Sequence, residues 1–74
     1  MFTVIELQTN NGVTTVLTTS FADENQAYQK YHQVLSYAAV SELDIHTAIV
    51  VDERGYELKQ EFYEHGNTPD VPEE

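Results

Sequence analysis

The chain contains no cysteine. That excludes disulfides as a covalent staple and thiolates as metal ligands. The exclusion matters because 74 residues lie near the lower limit for a chain that folds alone. A core of this size supplies only about 3–5 kcal/mol. Homo-oligomerisation is the common remaining device, and it is expected here. Cations are scarce as well: three Lys and Arg stand against thirteen Asp and Glu, a formal charge of −10. Binding phosphate backbones or anionic lipid requires Lys and Arg to replace counterions, so direct contact with nucleic acid is not expected. A basic protein surface would be attracted. No apolar run approaches the ~20 residues that span a membrane. The opening Met1-Phe2-Thr3-Val4-Ile5-Glu6 has no basic stretch and reaches Glu6 too early for a secretory leader. The expected setting is the cytoplasm, with no membrane partner.

What is present divides into five elements. Phe2 to Thr9 and Val13 to Thr19 are β-rich and flank Asn11-Gly12, a pair that tolerates the positive φ of a type I′ turn. A two-residue loop there sets Leu7 opposite Val16, with Ile5 and Leu7 on one face of the first strand and Phe2 and Val4 on the other. Asp23 is the favoured helix cap, with Gln26 three residues on and Glu24 in the first turn; Ser20 competes for the same role. Ala27, Tyr31, Val34 and Ala38 then recur at helical spacing, with Tyr28 and Leu35 broadening the stripe. Ile45 to Val51 reads as a third strand, Asp52-Glu53-Arg54-Gly55 as a turn, and Tyr56 to Tyr63 as a fourth strand.

The order ββαββ predicts an α+β fold, one helix on a four-stranded antiparallel sheet, spanning residues 1–65. The sequence does not order the strands. Residues 66–74, with two prolines and Asp70, Glu73 and Glu74, read as a disordered acidic tail. The expected core is Ile5, Leu7, Val16, Ala27, Tyr31, Val34, Leu35, Ala38, Ile49, Val51, Leu58 and Phe62. One helix covers one sheet face only. Phe2, Val4, Val13 and Leu17 are therefore expected on the face left open, as an oligomer interface.

Catalytic chemistry finds little footing. Ser20, Ser36 and Ser41 lie outside any nucleophile elbow, and isolated glycines do not form a phosphate-cradling loop. Glu57 and Glu61 share a strand face with Lys59 between them, the pattern of a solvated edge. No enzyme activity is expected. Asp44 and His46 could share a face of an extended segment, but a structural zinc site needs four ligands and no tight cluster is present; neither metal nor cofactor is expected. Tyrosine is frequent, five residues, and its apolar body with a polar tip suits interfaces. Tyr37 and Tyr63 fall off the core pattern. Arg54 carries a fork suited to phosphate or carboxylate. The candidate ligand or partner residues are Tyr37, His46, Arg54, Lys59, Tyr63 and His65, with symmetry gathering Arg54, Lys59 and His65 around an anion.

Four stretches carry a family resemblance: Lys30 to Ser41, Asp44 to Ala48, the turn Asp52-Glu53-Arg54-Gly55, and the ending Glu61-Phe62-Tyr63-Glu64-His65. Together, over about residues 27–65, they resemble small acidic proteins encoded by phages and prophages of Gram-positive bacteria, a family with no assigned activity. The resemblance implies a viral accessory protein in the cytoplasm of an infected or lysogenic host, acting stoichiometrically. The leading expectation is a homo-oligomer that antagonises host defence by sequestering a small nucleotide signal or by covering an effector surface on a host protein. The alternatives are an acidic nucleic-acid mimic that lays Glu53, Glu57, Glu61 and Glu64 on a basic host protein, and a small component of virion assembly or the lysis cassette.

Overall fold

The structure, a computed structural model, describes residues 1–65; the expectation of a disordered tail lies outside those residues. The elements are β1 (Phe2–Asn10), β2 (Val13–Phe21), α1 (Glu24–Ala38), β3 (Ile45–Val51) and β4 (Glu57–Glu64). The strands form one antiparallel sheet in the order β2-β1-β3-β4 with α1 packed on one side. This is the expected α+β architecture.

Local chemistry accounts for the joints. Asn11 and Gly12 turn the β1–β2 hairpin at φ of 55° and 80°, the left-handed conformation that the pair accommodates. The register then runs unbroken from Phe2 opposite Phe21 to Asn10 opposite Val13, and Leu7 does face Val16. Asp23 caps α1, its carboxylate accepting from the Asn25 backbone N–H. That bond goes to the second residue of the helix and not to Gln26, so the capping box expected of Asp23 and Gln26, each side chain bonding the other's backbone N–H, is not the one formed. After Ala38 the chain leaves the helix without a glycine. Ala39 still donates to the Leu35 carbonyl, and the His65 ring lies 2.7 Å from the Ala38 carbonyl, which it caps.

The core is Val4, Ala27, Tyr31, Val34, Ala48 and Val50, with Phe2, Phe21, Tyr28, Leu35 and Leu58 packed against it. The helix stripe is the expected one. The sheet face beneath it is the opposite of the expected one. Val4, only 2 % exposed, sits opposite Val50, and Glu6 sits opposite Ala48; these alternate positions meet α1. Ile5, Leu7, Val16, Ile49, Val51 and Phe62 belong to the other face and are not under the helix. Ala48 and Tyr31 belong to one buried cluster, a small side chain from the sheet with a large one from the helix, whereas the other face centres on Ile5, Leu7 and Ile49. Burial pushes the Tyr31 hydroxyl pKa upward, with the charges of Glu61 and Glu57 adding to it.

A break in register between Val50 and Val51 marks a β-bulge against β4. Lys59 pairs with Val50 and Glu57 with Val51, leaving Leu58 as the extra residue. Its side chain packs against the core although Gln60 and Phe62, two and four residues on, turn to the other face.

Candidate functional site

The face that α1 leaves open is built from Thr3, Ile5, Leu7 and Thr9 of β1, with Ile45, Thr47, Ile49 and Val51 of β3 beside them. Thr14, Val16, Thr18 and Ser20 extend it on β2, and Gln60, Phe62 and Glu64 on β4. Val16 and Phe62 are 57 % and 50 % exposed. Thr47, at the centre, is buried by the side chains around it. The charged residues on this face, Glu57 and Glu64, both lie on β4. The expected interface set divides differently. Phe2 and Val4 are on the helix side and belong to the core and its margin, so they do not form the open face. Val13 and Leu17 are also on the helix side, yet they stay exposed because α1 leans away from β2.

An open concavity of about 520 Å³ lies on the outer surface of α1 beside the end of β2, lined by Phe21, Gln26, Gln29, Lys30, His32 and Gln33. By helical spacing, Gln26, Lys30, Gln33 and Tyr37 share the flank of α1 that overhangs β2. Tyr28 and Glu24 share the opposite flank, where the Tyr28 hydroxyl donates to Glu24 and its ring meets Lys59. The β2 flank therefore carries a cation and amides and no carboxylate.

The structure places the six candidate ligand residues in two separate regions. His46 is buried on β3, its Nε2 2.6 Å from Glu6 Oε2; the same oxygen accepts from the Gln8 amide. Burial works to raise the Glu6 carboxyl pKa. The hydrogen bonds from Gln8 and His46, with the charges of His46 and Lys30, outweigh it and hold the group below its ordinary value. His46 Nδ1 is buried without a hydrogen-bond partner. Tyr63 pairs across the strands with His46, and its ring stacks on His65. Tyr37 is exposed near the same end of the helix. Arg54 and Lys59 lie toward the other end. Arg54 bonds through Nε and a terminal nitrogen to Asp52, and it approaches the Tyr56 ring. Asp44 accepts from the Asn11 backbone and is not joined with His46 in a ligand group. Among the described residues no group of three or more His, Asp or Glu could hold a metal ion.

Comparison with protein families, with curated proteins and with solved structures finds no match to this chain. Among the described residues no helix is long and apolar enough to cross a membrane. Sequence reading missed Glu6 and Lys30 as site residues. The first is hidden because its partner is forty positions away, the second because the lean of the helix is a tertiary property.

Proposed function

We propose that this chain is a non-enzymatic phage-type accessory protein that works by stoichiometric binding as a homo-oligomer, covering the surface of a host defence effector with the open face of its sheet. The supporting observation is that face itself: Ile5, Leu7, Val16, Ile49, Val51 and Phe62 set among threonines, with its charges confined to one edge strand, in a chain of charge −10. The face measures about 20 by 25 Å from strand spacing and rise.

A second reading has its own support. The concavity on α1 beside Phe21 offers Lys30 and the amides of Gln26, Gln29 and Gln33, donors suited to a small anionic ligand such as a nucleotide signal.

Phage plating on cells with nucleotide-signalling defence tests both. Expression of the chain is expected to restore plaques. Leu7→Lys with Phe62→Lys abolishes the rescue if the open face acts, whereas Lys30→Glu abolishes it if the concavity acts. Native mass spectrometry of protein purified from those cells then shows a retained nucleotide in the second case only. Absence of rescue by the wild-type chain overturns the reading.

A further inference from the structure

Strand β2 is one edge of the sheet, and among the described residues nothing guards it. Residues 7–22 hold no Asp, Glu, Lys or Arg, although the chain is otherwise rich in charge. The nine residues of β2 include no proline and no glycine, and their pairing with β1 has no bulge. All but Phe21 are exposed. Edge strands are ordinarily protected by charges, proline, bulges or brevity. The opposite edge, β4, shows that protection: it carries Glu57, Lys59, Glu61 and Glu64 and the bulge.

The order of side chains along β2 is the second observation. Val13-Thr14-Thr15-Val16-Leu17-Thr18-Thr19-Ser20-Phe21 has Leu17 at its midpoint, with side chains of broadly matching kind at most mirror positions on either side. Val16 matches Thr18, both β-branched, and Thr15 matches Thr19. Thr14 matches Ser20, both hydroxylic, and Val13 matches Phe21, both apolar. Antiparallel pairing with its own copy about a two-fold axis at Leu17 sets Leu17 against Leu17, Thr15 against Thr19, Thr14 against Ser20 and Val13 against Phe21, so that apolar side chains meet apolar ones and hydroxyls meet hydroxyls at all but the Val16–Thr18 pair.

We propose that two copies of this chain join edge to edge along β2, antiparallel, with Leu17 facing Leu17 of the second copy. The two four-stranded sheets become one of eight. The outward N–H and C=O groups of β2 find partners, and Val13 and Leu17, exposed in the single chain at 67 % and 45 %, are covered across the seam. A second copy fits better than a basic partner, because the edge offers no acidic residue to attract one. It is also the place where two chains of charge −10 approach with least repulsion. The inference rests on the oligomer part of the function proposed above and is independent of what the open face binds.

Analytical ultracentrifugation at micromolar concentration is expected to give twice the chain mass of 8.4 kDa, with association strengthened by added salt as like charges are screened. Leu17→Lys sets two cations on the axis and is expected to give a folded monomer, checked by circular dichroism. Thr18→Lys, on the other face of β2, repeats the test should the first variant not fold. The chain lacks cysteine, so Leu17→Cys under oxidised glutathione is expected to form a covalent dimer. Thr15→Cys is not, since its two copies lie about 13 Å apart along the paired strands, beyond disulfide reach. A monomeric wild-type chain overturns both the seam and the oligomer reading. A dimer indifferent to both lysine substitutions overturns the seam alone, and so does cross-linking at position 15 in place of 17.

Discussion

Glu6 and His46 hold each other 2.6 Å apart under the helix, although the strand partners opposite them are Ala48 and Gln8. The bond is diagonal across β1 and β3, and the Gln8 amide closes on the same carboxylate oxygen. Glu6→Ala leaves the buried His46 ring with no partner for either nitrogen. The expected loss is about 2 kcal/mol, read as a fall in Tm of about 10 °C.

The same pair gives a pH dependence. The folded Glu6 carboxyl titrates below the ordinary value of 4.5 that the unfolded chain keeps, so the folded form binds fewer protons between the two values. Its contribution is fully present above pH 4.5 and is lost as pH falls through the folded value. Glu6→Gln retains a hydrogen-bond acceptor without the titrating charge. Its acid unfolding curve is expected to be shallower than that of the wild type.

Substitutions on the two sheet faces separate cleanly. Val50→Asp buries an unpaired charge beneath α1 and is expected to unfold the chain, since its cost rivals the whole stability of a core this small. Val16→Asp lies on the open face and is expected to change the stability of the single chain by less than about 0.5 kcal/mol. Thermal melts of the two variants decide which face the helix covers.

Gly12→Ala tests the hairpin. Nothing lies within 4 Å of the position an added Cβ would take, but φ is +80°. The expected loss of about 1 kcal/mol is backbone strain alone. Asn11→Gly, by contrast, is expected to be tolerated.

Asp52 organises the β3–β4 turn. Its carboxylate accepts from the backbone N–H groups of Arg54 and Tyr56 and from the Arg54 guanidinium, and the Arg54 side chain first of all holds its pKa below the ordinary value. Asp52→Asn keeps the acceptor that the two N–H groups share. The expected order of melting temperature is wild type, then Asn, then Ala.

Much of this fold was legible in the chain. The Asn11-Gly12 turn, the hairpin register and the helix stripe through Tyr31 each follow from rules local in sequence. The covered face was not legible, because both faces of β1 are apolar and the one with Glu6 looks the less suited to burial. Strand order decides it. With β1 between β2 and β3, the path β2–α1–β3 is a crossover between parallel strands, and such crossovers take one hand almost always. Topology therefore places the helix, even over a glutamate whose partner is distant in sequence. The bulge at Leu58 was hidden for a related reason, since it exists only relative to β3. The candidate site was legible only in kind. The sequence indicated an uncovered face, but Ile5, Leu7 and Ile49 line it in place of Phe2 and Val4, and the six ligand candidates separate into two regions.

The charges along β4 limit how far such a sheet can extend. A ribbon with two bare rims adds copies without end and becomes a fibre. Here Glu57, Lys59, Glu61 and Glu64, with the bulge, turn one rim into a terminator. In the proposed edge-to-edge dimer, neutralising those side chains would leave the bulge as the main remaining barrier to further addition.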